Sequence, residues 1–351
     1  MRMFQVCTCG QPLQLNEAPT PQPKGSEVLL KVLAAGVCHS DLHLADGYFD
    51  LGGGKKMSLQ DRGMKLPVTL GHENVGEVVA VGPDVKGVKI GARMLADPWI
   101  GCGNCEPCKR NEDNLCMAMR SLGVFINGGY ADYMIVPHPR YLFDIGDLDP
   151  ARAAPLACSG VTTFGALKKV TTLKREPTVI IGAGGLGLMC LSLHKKMDGH
   201  SAIVVDIDPA KRDAAKKAGA VAVVDAKAAD AVDQIKALTK GGAFAVIDLV
   251  GSSQSARLGY DSLTKGGKYI IVGLYGGDLT VSLPPIPMRA LTIQGSYVGS
   301  VPEMTELMEL VRRTGLPAVP VTTRPLSEVN AVMDELRAGK VIGRVVLTPA
   351  N

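Results

Sequence analysis

Between Thr178 and Val272, apolar runs of four to six residues alternate with stretches of helical periodicity, an arrangement that leaves a chain few folds. The runs TVIIG (178–182), AIVVD (202–206), AVAVV (220–224), AVIDL (245–249) and KYIIV (268–272) are short and rich in β-branched residues, so each reads as a strand. They are apolar throughout rather than at alternate positions, which calls for cover on both faces. Strands so covered, with helices between them, form a doubly wound parallel sheet, and the fold class is α/β. Composition agrees: hydrophobic residues make up 46% of the chain and aromatics only 4%, while 41 glycines let small-residue helices lie close on the strands.

At 351 residues the chain is long for one core, so two domains are expected. The first 150 or so residues have a different texture. Runs from Val28 to Leu33 and from Asn74 to Val81 are interrupted by glycines such as Gly36, Gly76 and Gly82, the pattern of twisted strands and tight turns. A polar, Gly-rich segment between Gly47 and Pro67 reads as an irregular insertion and a candidate lid or interface loop. Near the other end, Ser300 with Glu303 three residues on opens an amphipathic helix through Arg313. A second helix runs from Ser327 toward Gly339, and GRVVLTP is expected to rejoin the first domain as a strand.

Charge and hydropathy exclude several roles. The 38 basic and 34 acidic residues are interspersed and offer no basic stripe, so nucleic acid is not an expected partner. No stretch of about 18 apolar residues occurs, and the expected protein is soluble and cytoplasmic, with no membrane partner.

In VIIGAGGLG, Gly182, Gly184 and Gly187 form G-x-G-x-x-G directly after a strand and at the mouth of a helix, with Gly185 and Leu186 inside the same turn. Glycine makes tight turns everywhere, but here Asp206 closes the next strand, where a carboxylate can accept hydrogen bonds from an adenosine ribose. The pyrophosphate would rest on the N–H groups of the helix start. A 2′-phosphate beside Asp206 would meet like charge, so NAD(H) is favoured over NADP(H). Lys211 is placed on a ribose hydroxyl, and Arg212 reads as a solvated helix charge.

Cys102, Cys105, Cys108 and Cys116 fall within CGNCEPCKRNEDNLC. Four soft thiolates at C-x2-C-x2-C-x7-C spacing are the ligand set of a closed, tetrahedral structural zinc, which braces a lobe and performs no chemistry. A disulfide reading is weaker, because nothing else in the chain points to an oxidising compartment. Chemistry must then lie among the five other cysteines and six histidines. A catalytic zinc needs three protein ligands and an open position. Cys38 in AAGVCHSDLH, His72 in TLGHENVG and Cys158 in PLACSGVTT stand at small-residue strand ends or turns, yet spacing alone selects no trio, since a lone Cys is usually a small buried hydrophobe.

Resemblance makes the selection. GHENVGEVVAVGPDV (71–85) is similar to the zinc signature of medium-chain alcohol dehydrogenases. VCHSDLH, the four-cysteine lobe, PLACSGVTT, the VIIGAGGLG unit and GRVVL follow in that family's order over essentially the whole chain. The DPWIGCGNC entry and the insertion before LPVTLGHE most resemble archaeal and bacterial tetrameric members, which act on primary, secondary and often cyclic or aromatic alcohols. The resemblance implies a GroES-like, mainly-β catalytic domain over 1–155 and 295–351 and a Rossmann NAD-binding domain over 156–294. It implies two zinc ions per chain, with Cys38, His72 and Cys158 holding the catalytic one. Glu73 matches a second-sphere or alternative ligand, and Asp41 the carboxylate that orients His72.

Ser40 and His43 match the proton relay, and Thr162, Leu274 and the 295–299 segment match nicotinamide contacts. His39 and Arg344 match pyrophosphate contacts, although His39 stands where some relatives carry Arg. Trp99, the only Trp, is a candidate wall of the substrate pocket or a plain packing aromatic. The implied partners are a small-molecule alcohol, aldehyde or ketone and three copies of the chain. Polyol or threonine dehydrogenases are the competing zinc members, but they usually offer a carboxylate where this chain has Cys158. A nucleotide-binding relative that has lost its site is the non-enzymatic alternative. The bland reading covers the remainder: Cys7 and Cys9 on opposite faces of an early strand, Cys190 in helix packing, and His138, His194 and His200 as surface or cap residues.

Overall fold

The five apolar runs become the heart of a six-stranded, wholly parallel sheet in a computed structural model that describes residues 1–170 and 176–349. The strand Thr178–Ile181 is central; Ala202–Asp206 and Ala222–Asp225 lie on one side, Ala243–Asp248, Leu263–Ile271 and Thr292–Gly295 on the other. Strand order therefore reverses beside Thr178–Ile181, and its C-terminal end opens onto the crevice where such sheets bind ligands. Ala202–Asp206 has the expected bounds, while the strand at 243 starts two residues before its predicted place. The sixth strand was not anticipated. Its sequence, TIQG, is exposed along its length and shows no apolar run, but it pairs in register with Lys268–Ile271 as an edge.

The second large sheet has seven strands and holds both early and late parts of the chain. Val28–Gly36 and Glu73–Val81 pair antiparallel, bringing Gly36 opposite Glu73. Arg344–Thr348 adds antiparallel to Val28–Gly36, so the last strand does return to the first part of the molecule, and Val321–Pro325 lies parallel beside it. Leu30, Val32, Val78 and Leu347 are buried in the core of this sheet.

Two expectations change. The Gly47–Pro67 insertion is not wholly irregular, because Tyr48–Asp50 and Lys56–Ser58 form a short hairpin. Cys7 and Cys9 lie beyond the strand Arg2–Val6, in the turn that follows it. The capping box forms as read: Ser300 Oγ accepts from the Glu303 N–H at 3.3 Å, and Glu303 accepts from the Ser300 N–H at 2.9 Å. The helix it starts, Val301–Thr314, buries Met304, Leu307 and Met308 in the same core as Ile180 and Leu188. No helix among the described residues is long and apolar enough to cross a membrane.

Candidate active site and metal centres

Three separate chain segments deliver one side chain each to a single point. Cys38 follows the strand Val28–Gly36 and caps the helix His39–Asp46. His72 precedes the strand Glu73–Val81. Cys158 sits at the junction of the tight turn Ala154–Ala157 and the helix Ser159–Lys168, a helix junction rather than a strand end. Ligand atoms of Cys38, His72, Glu73 and Cys158 all lie within 4.8 Å of one another.

His72 is the most telling member. Its Nδ1 stands 3.0 Å from Asp41 Oδ1, and because an ionised carboxylate only accepts, Nδ1 carries the proton. That leaves Nε2 with a bare lone pair, buried and without a partner. A buried acceptor left unpaired between two thiols fits a zinc ion, whose imidazole ligands donate their other N–H to a carboxylate. Burial works against a charged His72, but the charge and hydrogen bond of Asp41 outweigh it and hold the pKa well above the ordinary imidazole value, so the site favours a positive charge at Nε2, which a zinc ion would supply in place of a proton. The two thiols cannot both ionise easily without a cation. Hydrogen bonding from Cys158, with help from His72, holds Cys38 well below the ordinary thiol value. Burial pushes Glu73 up to about 7 against the pull of Arg344.

Cys102, Cys105, Cys108 and Cys116 form the second group, again with all four ligand atoms within 4.8 Å. None is in a disulfide. Cys105 and Cys108 sulfurs stand 3.4 Å apart, near the edge of about 3.8 Å of a tetrahedron with zinc–sulfur bonds of about 2.3 Å. The donor set is closed, with no position for a substrate.

The first cage opens onto a cleft of about 1850 Å³ between the two sheets. His39, Ser40 and His43 line it from one helix. His43 rests against Phe49 with ring centres 5.0 Å apart, and burial holds its pKa below the ordinary imidazole value. Thr162 lies one turn beyond Cys158, its N–H donating to the Cys158 carbonyl at 2.9 Å, and its buried hydroxyl has no partner. Trp99 lines the cleft as well: Nε1 donates to the Ala157 carbonyl at 3.2 Å, and its ring lies 5.8 Å from His72 and 6.4 Å from Tyr297. The glycine turn forms the far wall. Gly182 has φ +97°, and a Cβ on Gly187 would stand 1.9 Å from the Gly182 carbonyl oxygen, whereas Gly184 faces open space. Asp206 accepts from the Ala183 N–H at 2.7 Å and the Asp208 N–H at 2.8 Å, with Lys211 and Leu274 also on the cleft.

Two family models match this chain. One, alcohol dehydrogenase GroES-like domain, covers residues 24–147, and the other, zinc-binding dehydrogenase, covers 185–313. The chain is 41% identical to an NAD-dependent alcohol dehydrogenase of Sulfurisphaera tokodaii over 99% of its own length and 100% of that protein's. An NAD-dependent alcohol dehydrogenase of Saccharolobus solfataricus is 40% identical over the same shares. The chain belongs to the zinc-dependent medium-chain alcohol dehydrogenases. Among solved structures, the alcohol dehydrogenase of Aeropyrum pernix superposes with a TM-score of 0.89 at 32% identity, covering 99% of this chain and 100% of that one. The D-arabinose dehydrogenase of Sulfolobus solfataricus superposes at 0.83 with 28% identity, covering 99% of each chain.

Within this alcohol dehydrogenase fold, Arg344 lines the cleft and faces Glu73 in a buried ion pair, and its Nε has no partner. Two placements differ from the sequence reading. Arg212 is not a solvated charge; it pairs with Asp225 at 3.1 Å and donates to the Asp206 carbonyl. His194 is buried, with Nε2 3.1 Å from Thr178 Oγ1, while His138 and His200 are exposed as expected. Sequence reasoning missed two buried groups. Tyr130 donates to Asp41 Oδ2 at 2.7 Å, and Asp97, whose Oδ1 accepts from the Trp99 N–H at 3.1 Å, is pushed by burial up to about 8. The aromatic in GGYADY and the acid in DPW carry no spacing signal that would have singled them out.

Proposed function

We propose that this family member catalyses reversible hydride transfer between a primary or secondary alcohol, aromatic or cyclic ones included, and NAD, giving an aldehyde or ketone. The carrying observation is the bare, buried Nε2 of His72 between two thiols at the floor of a cleft whose far wall is a dinucleotide turn. Cys38, His72 and Cys158 would hold one zinc, with Glu73 in reserve, and the four-cysteine lobe a second. When bound, zinc would acidify the substrate hydroxyl, and the nicotinamide would accept hydride from the carbon that bears it.

The chain's own residues do the rest. Asp41 fixes the His72 tautomer. The Ser40 hydroxyl would take the substrate proton as it gives up its own, by way of a nicotinamide-ribose hydroxyl, to a ring nitrogen of His43, a step helped by the lowered pKa that keeps His43 neutral and able to accept. Thr162, Leu274 and Ser296–Val298 line the nicotinamide side; the glycine turn, His39 and the free Nε of Arg344 receive the pyrophosphate; Asp206 and Lys211 receive the ribose. Trp99 and Tyr297 form an aromatic wall that suits apolar rather than polyhydroxy substrates and favours this reading over a polyol dehydrogenase.

The zinc-bearing domain over 1–155 and 295–351 and the coenzyme domain over 156–294 belong to the same reading. Return of Arg344–Thr348 to the sheet that holds Val28–Gly36 supports it. A homotetramer is included, supported by the exposed edge strand Thr292–Gly295. The test is a screen of straight-chain, secondary, benzylic and cyclic alcohols with NAD and NADP, read as reduced-cofactor formation, with metal analysis of the same sample. Alcohol-dependent NADH and two zinc ions per chain are expected. No turnover with any of the four classes, in protein holding both metals, would refute the activity.

A further inference from the structure

We propose that Tyr130 is a positioning residue for the metal cage, acting through Asp41 on both Cys38 and His72. The inference rests on the cage reading above and adds a residue to it. One carboxylate ties the two ligands together: Asp41 Oδ1 takes the His72 Nδ1–H at 3.0 Å, and Oδ2 takes the Cys38 backbone N–H at 2.9 Å. The Tyr130 hydroxyl donates to the same Oδ2 at 2.7 Å, the shortest of the three. Tyr130, Asp41 and His72 are all essentially without solvent exposure, so no water replaces a lost donor.

Tyr130 is itself held in place. Its N–H donates to the Leu70 carbonyl at 3.0 Å, and its own carbonyl accepts from the Phe4 N–H at 2.8 Å. Gly71, next to His72 and at φ +92°, leaves room for the ring, since a Cβ there would stand 2.5 Å from Tyr130 Cδ1. The phenol thus reaches the carboxylate from a fixed frame. Three donors fix the plane of Asp41, and that plane sets the direction of the Nε2 lone pair of His72. With the hydroxyl removed, the carboxylate can turn about its Cβ bond, and His72 and the Cys38 backbone turn with it.

The test uses the full-length, zinc-loaded protein and Tyr130→Phe, which keeps the ring against Gly71 and removes only the O–H. Transfer of zinc to a chromogenic chelator should proceed about 10- to 100-fold faster from one of the two sites, with the other unchanged, in keeping with the usual effect of outer-sphere partners. The visible bands of the cobalt-substituted cage should shift. Asp41→Asn should cost more, and Tyr130→Phe should add little to it, because the two act in one chain. Unchanged release and unchanged cobalt bands in Tyr130→Phe, equal loosening of both sites, or full additivity with Asp41→Asn would each reduce Tyr130 to a packing residue. These readouts need no turnover. A wild-type protein that holds only one zinc would overturn the cage reading itself; two tightly held zinc ions with an indifferent Tyr130→Phe would overturn this proposal alone.

Discussion

Alanine at Gly187 probes the dinucleotide turn through a clash whose size the structure gives. The added Cβ would stand 1.9 Å from the Gly182 carbonyl oxygen, and real contacts of this kind essentially never fall below 3.0 Å. The start of the helix Gly185–Lys196 must therefore retreat by roughly 1 Å, because an interior packed to crystal density gives way as a unit. Gly182 cannot yield in its place: at φ +97° it is already in the left-handed region, with Val250 against it. Overpacking of this kind costs about 1–3 kcal/mol, which for a chain of this size lowers Tm by roughly 1–4 °C. A shift of about 1 Å in a positioned site costs on the order of 100-fold, so NADH binding should weaken by about 10- to 100-fold. Quenching of Trp99, the only tryptophan, reports that binding directly. Gly184→Ala is the matched comparison, since nothing lies within 4 Å of its Cβ. It should keep the wild-type Tm and still lose affinity, as the methyl projects into the space reserved for the pyrophosphate. Wild-type NADH affinity and Tm in Gly187→Ala, or undiminished binding in Gly184→Ala, would refute the assignment of this turn.

Three further outcomes are expected. His43→Gln should depress turnover most at low pH, because burial keeps the wild-type imidazole neutral below its ordinary value; an unaltered pH–rate profile removes it from the relay. Asp206→Gly should lower the NAD-to-NADP ratio of kcat/KM by roughly 10- to 100-fold, on the order of one lost charge-assisted hydrogen bond. Most of that fall should come from the NAD arm, since Arg212 stays paired with Asp225, and an unchanged ratio contradicts the role. Asp97→Asn should stabilise the protein increasingly as pH rises. Folded Asp97 keeps its proton up to about 8, while the unfolded side chain loses it near 3.8, so wild-type stability falls across that window. The slope is at most about 1.4 kcal/mol per pH unit, and denaturant titrations of variant and wild type should diverge between pH 5 and 8. Parallel curves would place the Asp97 titration elsewhere.

Elements that announce themselves by local pattern were legible in the sequence. AIVVD is a strand because five apolar or strand-closing residues leave no other economical burial, and the Ser300–Glu303 box fixes a helix start through contacts only three residues apart. Both candidate metal clusters were also readable, one from spacing and one from likeness to a known family. What escaped was carried by long-range contacts. Thr292–Gly295 is a strand only because Lys268–Ile271 offers it a partner. The pairing of Arg344 with Glu73 spans 271 positions and depends on register across Val28–Gly36. Tyr130 and Asp41 are separated by 89 residues and meet only once the sheet is closed. Arg212 and His194 were misread for the same reason, since a helix charge and a lone imidazole look solvated until their neighbours are in place.

The strand Arg344–Thr348 makes the cluster of Cys38, His72, Glu73 and Cys158 depend on a distant part of the chain. All the clustered side chains that could hold a metal lie at or before residue 158, yet Glu73 lacks its cationic counterweight, and the sheet that presents Cys38 has an open seam, until residue 344 docks. A nascent or truncated polypeptide stopping near residue 340 would hold a full complement of ligands around a buried, uncompensated carboxylate.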